Sequence, residues 1–353
     1  MRRIYFVLSA IFALVSCSVD YVRELNLGEE IDLRVTVTKG ETITLANFDR
    51  FAVSALKEND DPWFEHLTFE KYETTSLFIS SQKYYWPGDG SYLSFFAYAP
   101  LDDELSGSLT LNNDEQTLKG FEPASSISDQ VDFMTASATG NNESKNKVEL
   151  NFRHNLSQIE IKGKNANNTY RCHVAGLRIA NVISRGDFNF SAQEGMSPWT
   201  LSEDKADYEV IFDAPIELGE LSESLMGKDG DNAMLIPQEL TPWNTEVDND
   251  AGTYFALLVK IMTDSGVLIY PTVDNTHTPK YKDYEWAAIP VNGTWEPGMK
   301  YIYNWEFPAV CGYAYPDGHR IMGGVIMMPP PKVGNMENQW PYPEMTYPDA
   351  GNN

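Results

Sequence analysis

Cysteine, histidine and positive charge are all scarce in this chain, and each scarcity excludes something. Three Cys in 353 residues are too few for a disulfide-dense scaffold or a multi-cysteine zinc or iron–sulfur site. The five His stand apart, none in a metal-ligand spacing. No nucleophile–base pair is legible, so the residues suggest neither an enzyme nor a cofactor or metal site. With 26 Lys plus Arg against 51 Asp plus Glu, a formal charge of −25, the chain lacks the clustered cations that a phosphate backbone requires. That argues against nucleic acid as a partner. Convincing 3.6-residue periodicity is missing too, apart from Ser222 to Lys228, which reads as a short helix. What is present is 24 Gly, 20 Pro and 12% aromatics, the balance of a turn-rich β protein. At 42% hydrophobic it can bury a sizeable core, and its length favours two domains.

The N-terminus reads as an address. Arg2 and Arg3 precede an apolar run from Ile4 to Val15, too short to span a bilayer comfortably and right for a secretory signal. The run closes on Leu14-Val15-Ser16-Cys17, which looks like a bacterial lipobox. Residues 1–16 are then a signal peptide, and Cys17 is the acylated, palmitate-bearing residue that tethers the mature chain without a transmembrane helix. The plainer alternative is a secretory signal with an incidental Cys. Ser18 stands where inner-membrane lipoproteins resemble one another in having Asp, so the outer membrane is the expected address.

Beyond a linker at 17–27, period-two patterns recur. Ile31, Leu33, Val35 and Val37 alternate with Asp32, Arg34 and Thr36; Val148, Leu150 and Phe152 alternate with Glu149, Asn151 and Arg153. Similar runs lie at 159–162, 208–212, 255–261 and 301–307, each bounded by Gly, Pro, Asn or Asp. Strands without intervening helices predict an all-β fold of antiparallel sheets packed face to face. A polar stretch at 138–146 marks a boundary, giving sandwiches at 28–144 and 145–310. From Cys311 to Asn353 the chain becomes a tail rich in Pro and aromatics.

Several segments resemble the fimbrillin family of Bacteroidota, lipoprotein subunits of type V pili. They are Lys83-Tyr84-Tyr85-Trp86-Pro87 with Leu93 to Pro100, Asp129 to Ala138, and Val148 to Ile161. Met234 to Gln238 and Trp295 to Tyr303 complete the set. The resemblance covers roughly residues 30 to 307 and implies two tandem transthyretin-like β-sandwiches, with no catalysis. It also implies partners: other pilin-like subunits joined by strand exchange, the outer membrane through the lipid, and a host or bacterial surface receptor. Members that polymerise lose their first strand to an Arg-specific protease, for which Arg23, Arg34 and Arg50 are the candidates here. The donor strand expected in the tail falls on Ile321, Met322, Val325, Ile326, Met327 and Met328, with Pro329, Pro330 and Pro331 removing the backbone donors needed to extend it.

Other features carry competing readings. Cys172 and Cys311 are a candidate disulfide in an oxidising compartment. Arg185-Gly186-Asp187 matches an integrin-binding tripeptide but is equally ordinary hairpin chemistry. Asp248 to Gly252 and Asp229-Gly230-Asp231 begin like calcium loops and read better as solvated turns. His154 has no partner at ligand spacing and reads as structural. Trp86, Trp199, Trp243, Trp286 and Trp295 underlie the second functional reading, a glycan-binding outer-membrane lipoprotein that stacks sugars on exposed aromatics. The first reading is a fimbrillin-like pilus subunit, anchor or accessory, or an adhesin.

Overall fold

The computed structural model describes residues 29–31, 33–37, 48–72, 78–80, 82–143, 148–166, 169–193, 195–226, 232–244, 252–271, 280–307, 313–314 and 331–335. Among these the chain is all β, with one 3-10 turn at Ile127–Asp129. The expected helix after Ser222 is absent where it is described. Glu223–Ser224 pairs instead with the strand Ser157–Asn165, because Leu225 N–H donates to the Ile161 carbonyl and buries its side chain in the core.

The first half is built on a seven-stranded sheet. Its central strands, Arg50–Lys57 and Leu93–Ala99, pair antiparallel from Ala52↔Tyr98 to Lys57↔Leu93. Period two divides their side chains. Phe51, Val53, Phe95 and Ala97 face one core with Met134, Leu150 and Phe152. Ala52 and Tyr98 face the other way, onto Leu118, Phe121, Phe133, Phe188 and Trp199. Those last residues belong largely to a four-stranded sheet in which Gly186–Asn189 pairs with Gln116–Phe121.

The second half is a sandwich. The sheet built on Ser157–Asn165 and Met299–Phe307 packs on one built on Tyr170–Ile183, Lys205–Glu217, Tyr254–Thr263 and Glu285–Pro290. Ile159, Ile161, Tyr303 and Trp305 from the first meet Leu177, Phe255, Leu257 and Ile289 from the second. The strand Tyr254–Thr263 is buried on both faces. Its alternate residues Tyr254, Ala256 and Leu258 lie under Trp243, Tyr281, Tyr284 and Trp286, so its apolar run is continuous, not half polar.

Three expectations need correction. The strand Val148–His154, assigned above to the second sandwich, pairs with Met134–Gly140 through Met134↔His154 and so sits in the first sheet. The sheets also cross the polar stretch at 138–146, since Phe188 pairs with Leu118. Nor is the pairing antiparallel throughout. Leu33–Val37 runs parallel to Val148–His154, and Ser157–Asn165 runs parallel to Met299–Phe307. Periodicity shows which residues face a core; it carries no information about which distant strand lies alongside.

Candidate functional site

The strand Leu33–Val37 lies at the edge of the first sheet with a groove beside it. Leu33↔Val148, Val35↔Leu150 and Val37↔Phe152 set its parallel register. Just before it, Ile31 N–H donates to the Tyr84 carbonyl at 2.9 Å and Trp86 N–H donates to the Glu29 carbonyl at 3.0 Å. Residues 29–37 are thus held on both sides, by 84–86 and by 148–152. Ile31, Leu33 and Val35 are half-buried against the core that contains Trp86, Leu150 and Phe152. The polar face is tied only at the surface, by Arg34–Glu149 at 3.6 Å, Lys83–Glu30 at 2.9 Å and a hydrogen bond from Thr36 to Asn151. Exposed ion pairs of this kind contribute about 0–1 kcal/mol each, so apolar burial and the backbone ladder hold the strand. Next to it opens a groove of about 530 Å³ lined by Ile31, Leu33, Phe64, Leu67, Phe69 and Phe78.

The three candidate processing residues stand differently to this strand. Arg34 lies within it, facing solvent. Arg50 opens the next described strand and is ion-paired to Glu104. Arg23 lies outside the described residues, as do Cys17, Cys311 and the segment from Ile321 to Met328. The tail is visible beyond that segment. Lys332–Asn335 pairs antiparallel with Met299–Phe307, from Met299↔Asn335 to Ile302↔Lys332. Tyr313–Ala314 pairs with Glu285–Pro290. These two described pieces of the tail lie on edges of both second-half sheets. The three prolines do not end its pairing, because backbone donors resume at Lys332, past their reach.

Where the first sheet meets the second half lies a buried, hydrogen-bonded Asp–His pair. His154 Nδ1 is 2.7 Å from Asp132 Oδ2, with the side chains 1% and 3% exposed. Asn155 N–H donates to the Phe133 carbonyl, and the Asn155 carbonyl accepts from Trp199 Nε1–H at 2.8 Å. Gly298, at φ +70°, donates to the Leu156 carbonyl while its Cα faces the His154 carbonyl. A Cβ there would crowd that oxygen at 3.2 Å. His154 is buried and bonded to Asp132, which lies twenty-two residues away on an irregular connection and so gives no sequence signal. Gln238 is a second staple. It is buried, and its side chain bonds the Ile183 backbone N–H and carbonyl while its own backbone pairs with Trp295.

The remaining sequence features resolve plainly. Cys172 is buried in Tyr170–Ile183. Arg185-Gly186-Asp187 is built into a sheet: the Arg185 guanidinium lies over Gly120, and Asp187 accepts the Gly120 N–H at 2.7 Å. It is no free loop tip. The five Trp of the sugar-stacking reading are all buried, their rings occupied by core packing, so they form no platform. The segments 229–231 and 248–251 lie outside the described residues, and no group of three potential metal ligands occurs among the described ones.

Electrostatics on the sheet face near Cys172 give a pH dependence. Burial holds the His173 imidazole below its ordinary value, outweighing Glu217, whose carboxylate is 3.9 Å away. A hydrogen bond from Arg171 holds Glu217 below the usual carboxylate range. Both shifts have the same sign. The unfolded chain takes up protons at these groups before the folded one does, so stability is level above about pH 6.5 and falls as pH drops below it. Melting temperatures measured from pH 7.5 to 4 should decline monotonically, and a His173→Gln variant should lose the upper part of that decline.

Comparison with known proteins fits this architecture. A family model described as fimbrillin-like matches residues 34–316. A solved fimbrial protein from Bacteroides vulgatus is 18% identical, with 80% of this chain and 96% of that one covered at a TM-score of 0.52. A candidate cell adhesion protein from Bacteroides uniformis is 16% identical, covering 87% and 98% at 0.49. The fimbrial anchor protein Mfa2 from Porphyromonas gingivalis is 11% identical, covering 78% and 90% at 0.29. No curated protein matches. The family match spans the N-terminal strand, both halves and the sheets that cross between them, and so this chain belongs to the fimbrillin-like family.

Proposed function

We propose that this chain is a non-enzymatic surface subunit of a fimbrial system, tethered to the outer membrane through Cys17 and joined to other subunits by strand complementation. The observation that carries the reading is the strand Leu33–Val37, with residues 29–31 just before it. It is short, joined in parallel to one neighbour and half-buried against a core it helps to close. A vacated strand position presents unpaired backbone donors and acceptors over an apolar floor, which is what an incoming strand needs.

Arg50 is the processing site that fits. A cut after Arg23 leaves the strand in place, and a cut after Arg34 divides it. A cut after Arg50 releases all of residues 29–37, together with the lipid on Cys17. Uncut, the subunit is anchored and closed; cut, it is free and able to accept. Because Lys332–Asn335 pairs with its own second-half sheet, the tail is occupied at home, which suits an anchor or accessory position better than a repeating stalk. The anchoring is tested by Cys17→Ala and cell fractionation. The expected result is loss of the protein from the membrane fraction or accumulation of uncut precursor, and normal membrane retention would overturn it. Mass spectrometry of the N-terminus of surface material should find Phe51 first if Arg50 is cut.

A further inference from the structure

The loops at one end of the first half converge on a second cleft of about 530 Å³. Four separate chain segments build it: the hairpin end at Lys57 to Asn59, the start of the strand Leu93–Ala99 with Tyr92 before it, the turn at Asn113 leading into the strand start at Gln116, and Ser191. These walls are braced to one another. Asn113 Nδ2 donates to the Lys57 carbonyl at 2.9 Å and to the Asp60 carbonyl. Lys57 Nζ bridges Asp89 at 3.0 Å and Asp60 at 3.5 Å. Ser191 Oγ donates to Gln116 Oε1 at 2.8 Å. Hydrogen bonds from Ser91, then Lys57, hold the Asp89 carboxyl well below its ordinary value, so the brace stays charged. The bracing consumes side chains behind the cleft and leaves others uncommitted. Tyr92 is 65% exposed, and Glu58 and Asn59 are exposed; Phe96, half-buried on the same wall, is held by an edge-on contact with Phe190.

We propose that this cleft binds a neutral oligosaccharide. The chemistry is that of a saccharide site. An exposed aromatic face takes the C–H face of a pyranose, and a carboxylate and amide accept and donate to ring hydroxyls. Fixed walls spare the ligand the cost of ordering them. The sign of the rim selects among sugars. Glu58, Asp60, Asp61 and Asp114 surround an adjoining depression that shares Glu58, Asn59 and Asn113 with the cleft, so sialylated, sulfated and uronic acid chains are repelled. The site is separate from the buried tryptophans, and it stands without the strand-exchange reading, since neither the strand Leu33–Val37 nor the described residues of the tail line it.

The test uses the full mature chain on an array of neutral and acidic glycans, followed by calorimetry with the strongest neutral oligosaccharide. The expected result is binding confined to neutral chains. Tyr92→Ala and Glu58→Gln should each weaken it at least tenfold while leaving the melting temperature unchanged, and Tyr72→Ala, at another exposed tyrosine, should leave it intact. No neutral glycan bound, a preference for acidic chains, or binding indifferent to Tyr92→Ala would each overturn the proposal. The same protein's oligomeric state, read by light scattering, reports strand exchange independently.

Discussion

Protein beginning at Phe51 is expected to fail as a stable monomer. Losing everything before Phe51 strips Ile31, Leu33, Val35 and the buried Phe48 from the core formed with Trp86, Leu150 and Phe152 and removes the parallel partner of 148–152. Three half-buried apolar side chains and one fully buried Phe contribute on the order of 5 kcal/mol, and the lost ladder adds to that. For a protein whose total stability is about 5–15 kcal/mol, the deficit is large. Size-exclusion chromatography with light scattering should show oligomers, or a monomer whose melting temperature is restored by a peptide of sequence 29–37. A monomer with unchanged melting and no peptide uptake would show that the strand is ornamental and the exchange reading wrong. A Leu33→Asp change in the uncut chain should move in the same direction to a smaller extent, because the backbone pairing remains.

Breaking the Asp132–His154 pair should carry a large cost for a single substitution. Both side chains are almost wholly enclosed at 2.7 Å. Removing one partner leaves the other's buried polar atom without its hydrogen bond, a loss of about 1–3 kcal/mol. Asp132→Ala should therefore lower the urea midpoint sharply. Asp132→Asn, which keeps a hydrogen-bonding group at that place, should lose less. The pair sits where Asn155, Phe133, Trp199 and Gly298 tie the first sheet to the second half, so the two halves should unfold in one transition in the native chain. In Asp132→Ala the transition should broaden or divide. A variant as stable as the native protein would mean that the aromatic packing of Phe133 on Phe188 and Trp199 holds the junction alone.

The sequence by itself determined the class of fold and its inward faces. Val148, Leu150 and Phe152 are buried and Glu149, Asn151 and Arg153 exposed, as alternation requires, because a strand's period of two is a local property of the backbone. It also carried the family, through segments whose roles turn out to be mechanical: Gln238 and Trp295 are backbone-paired staples. Pairing between distant strands was decided only by the tertiary structure. Nothing local states that residues 33–37 run parallel to 148–152, that Val148–His154 belongs to the first sheet, or that the tail resumes pairing at Lys332. Burial was equally non-local. Five tryptophans that composition offers to solvent are enclosed, while Tyr92 remains open, and Asp132 becomes a partner of His154 only when an irregular connection and a strand end meet. Side-chain chemistry is written residue by residue, whereas exposure and partnership are set by which surfaces the folded chain brings together.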